Sequence, residues 1–318
     1  MSLPTVAVTI LACNHAPYIR QCLESVIAQA TDVDLHILVG DDASDDGTSD
    51  IVAEIAAAHP ALLTHVRHPR RLGGSDNYRY VLTHARGRYI ACLDGDDWWL
   101  PGKLKAQLAR IEGHPEVAGV YANALTVSED GSPLGVFNDV GDVSFDLGGL
   151  LQRGNFLNSS SMLFRSELVA PALAVEGPVL DYLVHLRHAR RGLLVHLGTP
   201  LVAYRVASQG STLVGANDAV RRLYWEAILD VPRECVSDAQ FAQGIADFLR
   251  RVLFRSLRTR RKDLLADWTP RVFAASPYGS VRTSLVVAAA VARALAKEVF
   301  VRRRRLPCGR RVPVMYRR

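Results

Sequence analysis

The sequence predicts an α/β fold, a mostly parallel sheet flanked by helices with a helical extension at the C-terminal end. Three observations lead there. Apolar runs of strand length alternate with helix-period segments over residues 6–111, the pattern of a doubly wound parallel sheet. Two of those runs end in acidic turns, where such sheets bind ligands. Beyond about residue 211 the periodicity is helical only, and from Arg250 onward 19 Lys and Arg stand against 3 acids.

The elements follow in order. Residues 6–12 form a near-continuous apolar run, as in a parallel strand covered on both faces. Pro17 then precedes Ile19, Leu23, Val26 and Ile27 at helical spacing, and residues 35–39 give a second buried strand. After the polar turn 41–47, a helix is marked by Ile51, Val52 and Ile55, a strand by 62–66, a helix by 78–85 and a strand by 89–93. Pro101 stands at a first helical position ahead of Leu104, Leu108 and Ile111, and Gly113-His114-Pro115 ends that helix. Residues 117–122 read as a strand and 129–133 as a turn, whereas 136–151 carry little periodicity. A strand at 162–164, a helix over 181–190 and a strand near Val195 complete a second half, expected at the open edge of the sheet.

Composition narrows the class. With 318 residues, 49% hydrophobic and 22% charged, the chain is long enough for a substantial core and has ordinary globular composition. Its net charge of +6 divides into −10 for the first 249 residues and +16 for the rest. An acidic body with a basic tail argues against a nucleic-acid surface and for a tail that meets anionic lipid. Cys13, Cys22, Cys92, Cys235 and Cys308 have no metal-ligand spacing, and their odd number fits a reducing cytosol. No basic segment precedes the first apolar run, so a secretory signal is not expected. The apolar stretch 285–301 is interrupted by Arg293, Lys297 and Glu298 short of the roughly 20 residues of a membrane span. It predicts an interfacial or packed helix. So does the amphipathic pattern of Phe248, Leu249, Val252, Leu253 and Leu257 interleaved with arginines, and Arg302 to Arg305 add a dense positive cluster.

The chemistry concentrates at Asp94-Gly95-Asp96-Asp97-Trp98-Trp99. Carboxylates this close raise one another's pKa or demand a cation, and an all-oxygen donor set selects Mg²⁺ or Mn²⁺. In extended backbone Asp94 and Asp96 would share one side and Asp97 the other, with Gly95 admitting a ligand to the backbone. A cation there keeps positions open for diphosphate oxygens. The second turn, Asp41-Asp42-Ala43-Ser44-Asp45-Asp46-Gly47-Thr48, fails as a calcium loop, because Ala53 falls where the bidentate Glu belongs. It suits base recognition instead: Asp41 or Asp42 can accept from a uracil or thymine N3–H, while Thr48 or Ser49 caps the next helix. Leu72-Gly73-Gly74-Ser75 lacks the rest of a phosphate-loop pattern, and no nucleophile elbow, CxxC or HExxH is present.

Together these segments resemble glycosyltransferase family 2, inverting enzymes of the GT-A type, Rossmann-like fold. The resemblance covers about residues 5–213. It runs from Val8 to Asn14 and His15 with Tyr18-Ile19, through Asp41-Asp42 to Asp45, to Gly73 through Asn77 and Ala85-Arg86-Gly87. It continues in Leu93 through Trp99, Lys103-Leu104, Ser160-Ser161-Met162, Asp181-Tyr182 and Tyr204-Arg205. Members that build bacterial surface polysaccharides are the most similar.

The resemblance implies a donor-binding set of Leu11, Ala12, Asn14, Asp41, Asp42, Gly73, Asn77, Asp94, Gly95 and Arg205. It implies metal binding by Asp94 and Asp96 with Asp97 in support, and Asp181 as the general base. Leu180 stands where many relatives have an acid, and Ala207 where relatives often have a His, leaving Arg205, Gln209 and Ser211 nearby. The implied organisation is a GT-A domain over 1–213, split into a nucleotide-binding half 1–112 and an acceptor half 113–213, then a basic extension 214–318. The implied partners are a nucleotide-diphosphate sugar, of UDP type, and a glycan or lipid-linked acceptor. The expected location is cytoplasmic, peripheral on the inner membrane. Two other functions share this frame, a polyprenyl-phosphate sugar synthase and a silent nucleotide-sugar-binding scaffold.

Overall fold

A computed structural model describes residues 5–174, 177–206, 217–303 and 313–316. Its frame is one eleven-stranded sheet. At its centre β1 (Val6–Ala12) runs parallel to β2 (Leu35–Asp41) on one side and β4 (Tyr89–Asp94) on the other, with β3 (Leu63–Arg67) outside β2. Register pairs Leu11 with Asp94 and Ala12 with Asp41. Both acidic turns therefore emerge side by side where the chain order reverses across β1, the position at which open α/β sheets bind ligands.

The helices of this half are α1 (Ile19–Ile27), α2 (Thr48–Ala58), α3 (Gly74–His84) and α4 (Lys103–Ile111). Alternate β1 side chains enter different cores. Val6, Val8 and Ile10 pack with Leu23, Val26, Val52, Leu104 and Leu108, whereas Ala7 packs with Leu82, Ile90 and Cys92. Gly40 on β2 has a packing reason. A Cβ there would lie 2.3 Å from Asn77 Oδ1 and 2.5 Å from a Val81 methyl, so only glycine lets α3 settle on the strand.

Past the short β5 (Trp98–Trp99), the second half continues the same sheet, as expected. It comprises β6 (Val117–Val127), β7 (Pro133–Asn138), β8 (Val143–Phe145), β9 (Leu163–Arg165) and β10 (Leu193–Arg205). The antiparallel β9 links β4 to β6. Short helices α5 (Leu147–Arg153) and α6 (Val169–Leu173) and the nine-residue α7 (Asp181–Ala189) cover one face. Residues 136–151, almost featureless in sequence, thus hold the end of β7, all of β8 and most of α5.

The C-terminal helices are α8 (Asn217–Leu229), α9 (Asp238–Thr259), α10 (Asp263–Ala275) and α11 (Ser280–Arg303). A capping box of Ser237 and Gln240 starts α9. Most of the amphipathic pattern over 248–258 faces the protein: Phe248, Leu249 and Val252 are buried with Trp225 and Trp268 in the core under the sheet, whereas Leu257 near the helix end is exposed. Burial of each such side chain is worth about 1.5–3 kcal/mol, so packing claims the face that the sequence offered to a membrane. After α11, a strand with no sequence signal, β11 (Val314–Tyr316), returns to pair in parallel with β7. The 213/214 boundary, Ala207, Gln209, Ser211, Arg304 and Arg305 lie outside the described residues.

Candidate active site

The acidic turn after β4 is a closed turn, because Asp97 N donates to Asp94 O at 3.0 Å and Gly95 N to Leu11 O at 2.8 Å. The side-to-side alternation expected of extended backbone does not apply. Asp94 and Asp96 are partly open to solvent, whereas Asp97 is 1% exposed. Asp97 accepts from Ser160 Oγ at 2.5 Å and from Arg205 N at 2.8 Å, which makes it a brace behind the turn and not a cation ligand. Burial first, then the charges of Asp96 and Asp94, hold its carboxyl well above the usual range. Gly95 is required by packing. A Cβ on it would lie 2.7 Å from His15 Nδ1 and 2.9 Å from Leu11 O, so its use is close approach to the β1–α1 loop.

Arg205 is also placed differently from the expectation. Its Nε donates to Asp96 O at 2.9 Å, one terminal nitrogen donates to the Ser128 and Glu129 carbonyls, and the guanidinium lies over Tyr18 and Trp98. Nε and one terminal nitrogen of the fork thus tie the turn to the end of β6, while the other terminal nitrogen makes one long contact to Gln21 Oε1 at 3.4 Å. Asn77 is a strut. Its Nδ2 donates to Gly40 O at 2.8 Å and its Oδ1 meets His68 Nε2 at 2.9 Å, at 2% exposure.

The second acidic turn separates its two carboxylates. Asp41 is fully buried and accepts from Ser44 N at 3.0 Å and from Ser49 Oγ, with His65 Nε2 at 3.6 Å. Burial pushes its carboxyl up, but these contacts outweigh it and hold the group well below the carboxylate range. Asp41 is thus a structural knot, unavailable to a base. Asp42 accepts from Leu72 N at 2.5 Å and Gly73 N at 3.0 Å, which uses about half of a carboxylate's roughly four acceptor positions and leaves capacity at the strand end. Asn14, at φ 57°, accepts from Asp45 N with its side chain, and Ser44 Oγ accepts from Asn14 N. The Ala12 carbonyl accepts from Asp42 N, so Leu11, Ala12, Asn14, Asp42 and Gly73 belong to one hydrogen-bonded rim.

Asp181 stands at the first position of α7. It keeps an open face, while surrounding protein is dense enough for burial to raise its carboxyl above the usual range; the nearby Ser159 hydroxyl pulls the other way. Asp94 is pushed up to about 7 by burial, by the Asp96 charge and by the Asp181 charge, with Ser160 opposing. Asp94, Asp96 and Asp181 therefore share one electrostatic neighbourhood.

Two partners of the turn carry no role in the sequence reading. Ser160 Oγ donates to Asp97 and accepts from Asp94 N at 3.2 Å, while Ser160 O accepts from Trp99 Nε1 at 2.9 Å. Lys103, fully buried, lies 3.9 Å over the Trp99 ring and donates to Gln107 Oε1 at 2.7 Å; burial pushes its ammonium well below the usual value. Ser160 belongs to a serine run visible in the sequence, but only a contact across 66 residues shows what it holds.

The described residues contain no group of three or more His, Cys, Asp or Glu side chains placed to hold an ion. The donor chemistry nonetheless fits a hard cation. Asp94 and Asp96 are oxygen donors under mutual repulsion, and Mg²⁺-type ions commonly bind through one or two carboxylates plus substrate phosphates. The same repulsion costs stability. A raised acid keeps its proton in the folded state between about pH 4 and 7, so its folding penalty grows over that window and is complete above it. Asp94→Asn is expected to raise Tm over wild type at pH 8, and calorimetry at pH 5 should find a smaller advantage. An equal advantage at both values would show that Asp94 titrates normally.

The family model described as Glycosyl transferase family 2 matches residues 7–134. An uncharacterized protein of Mycobacterium tuberculosis (strain H37Rv) is 32% identical over 217 residues, 67% of this chain and 61% of that protein. The match thus spans 61% of the length of this mycobacterial relative. The putative glycosyltransferase EpsE of Bacillus subtilis is 32% identical over 130 residues, 40% of this chain and 46% of its own. Chondroitin synthase of Pasteurella multocida is 29% identical over 130 residues, 41% of this chain and 13% of that protein. Among solved structures, S. aureus TarS 1-349 in complex with UDP-GlcNAc superposes with a TM-score of 0.66 at 18% identity, covering 92% of each chain. At that identity the likeness is one of fold. Residues 7–134 thus match the domain of glycosyl transferase family 2, within a fold of the GT-A type.

Proposed function

We propose that the chain is an inverting transferase that takes a sugar from a UDP-type nucleotide-diphosphate sugar and passes it to an acceptor hydroxyl. The acceptor is a glycan or lipid-linked sugar in the making of a bacterial surface polysaccharide or glycolipid. One observation carries this reading: Asp181, at the first position of its helix, and Asp96, on the acidic turn, both push the Asp94 carboxyl up, so the three carboxylates share one electrostatic neighbourhood. That is the division of labour the reaction needs.

The rim of Leu11, Ala12, Asn14, Asp42 and Gly73 lines the nucleotide end, with Asp42 accepting from the base N3–H. Asp94 and Asp96 would hold Mg²⁺ or Mn²⁺, which when bound neutralises the charge growing on the leaving diphosphate. Asp181 takes the acceptor's proton as the acceptor oxygen bonds to the anomeric carbon and the carbon–phosphate oxygen bond breaks, its electron pair leaving with the diphosphate. Attack from the face opposite the leaving group inverts the anomeric centre. A carboxyl raised above its usual range is a stronger base at neutral pH than an ordinary one.

A thermal-shift screen of UDP-, GDP-, CMP- and dTDP-sugars with and without Mn²⁺ tests the donor assignment. A ligand at about 100 times its Kd adds about 2.7 kcal/mol to folding stability. UDP-sugars should give the largest rise, and more with Mn²⁺. A protein stabilised by none of these donors is not the transferase proposed. One that binds a donor yet neither transfers nor hydrolyses it is a silent scaffold.

A further inference from the structure

We propose that the outward face of α11 is a membrane-docking surface that lies along an anionic lipid leaflet. The inward face of the helix is settled: Thr283 and Ala290 are buried, and the Thr283 hydroxyl reaches Ser276 Oγ at 2.7 Å. The outward face is apolar and uncovered. Val281 is 79% exposed, Leu285 66% and Leu295 54%, and Ala288 and Ala292 are exposed between them. At 3.6 residues per turn these five fall on one stripe. Among the described residues no side chain covers it, in contrast to Phe248, Leu249 and Val252 of α9, which are buried in the core.

Charge selects the occupant. Arg282 and Arg293, both exposed and about three turns apart, border the stripe on one side, whereas Lys297 turns away to meet Asp139 at 3.1 Å. Residues 280–303 contain one acid, Glu298, and Arg304 and Arg305 follow in sequence outside the described residues. A second copy meeting this face across a two-fold axis would bring like-charged borders together. An anionic leaflet is attracted to the same border, at about 1 kcal/mol, or about fivefold in binding, for each basic residue near its surface.

The helix would lie along the surface. No single helix among the described residues is long and apolar enough to cross a bilayer. The α10–α11 pair that passes on composition bends by 118°, and α10 buries Leu264, Trp268 and Val272 in the protein core. The face is independent of the donor site, so its test leaves the transferase reading untouched.

The test sediments the full chain with vesicles of phosphatidylcholine alone or mixed with phosphatidylglycerol, at low and high salt. The expected result is pelleting with the mixed vesicles, weakened by salt. The triple variant Val281→Glu, Leu285→Glu, Leu295→Glu should lower the bound-to-free ratio by tenfold or more, with an unchanged Tm because all three positions are exposed. Arg282→Gln with Arg293→Gln should lower it by an order of magnitude without touching the stripe. The proposal is overturned if wild type stays in the supernatant with both vesicles, or if the triple variant pellets as well as wild type. It is equally overturned if light scattering finds a dimer that the triple variant dissolves while vesicle binding is absent.

Discussion

Asp96→Ala is expected to cut sugar transfer by about 10²- to 10³-fold and to leave Tm within a degree or two of wild type. The size follows from charge: a cation held at the leaving diphosphate supplies several kcal/mol of transition-state stabilisation, and each 1.36 kcal/mol is about tenfold in rate. The small effect on folding follows from position. Asp96 sits partly exposed on the turn, its charge helps to hold the Asp94 and Asp97 carboxyls above their usual range, and the carbonyl that accepts from Arg205 Nε belongs to the backbone and survives the substitution. Activity assayed over a Mn²⁺ titration checks it. A variant that retains wild-type rate at saturating metal would mean that Asp94 alone suffices, or that the cation sits elsewhere.

How much of this was legible in the sequence depends on the range of the contacts involved. The central strands were readable because a strand covered on both faces is near-continuously apolar, as β1, β2 and β4 are apart from Thr9, His36 and the terminal carboxylates of β2 and β4. The Asp94 turn was readable for a related reason, since such a strand rarely ends in clustered carboxylates without a use for them. The division of labour inside the turn was not. Asp97 became a brace through Ser160, 63 residues away, and Arg205, 108 residues away, and no local pattern encodes those partners.

Asp41 and Asp42 are adjacent, identical in type and both buried, yet Ser44, Ser49 and His65 made one a knot while the other accepts from the Leu72 and Gly73 backbone. Asn77 and Gly40 were likewise tied by a contact across 37 residues. The strands that left no signal, β7, β8 and β11, are short and largely exposed or half-buried, so they lack the apolar run that marks a covered strand. β10 is thirteen residues long, but register shifts around Pro200 break its alternation against β6. The C-terminal helices show the limit of amphipathicity as a guide. Both α9 and α11 read as interfacial or packed, and only tertiary packing separates the largely covered face from the open one.

Asp181→Asn should lower kcat by about 10²- to 10⁴-fold, the usual worth of a positioned general base, while donor affinity stays within a few-fold of wild type. The near-isosteric amide keeps the shape of the first turn of α7 but cannot take a proton. The pH profile separates this role from a merely structural one. Because burial raises the Asp181 carboxyl, wild-type activity should fall as pH drops through a value above the ordinary carboxylate range, the protonated acid being unable to accept. Asp94 does not supply that limb in the loaded enzyme, since an adjacent cation favours its charged form and pulls its pKa back down. Residual activity of the variant should therefore lose the acidic limb altogether. If the limb persists unchanged in Asp181→Asn, the proton goes to another group and Asp181 is only the N-terminal carboxylate of a helix.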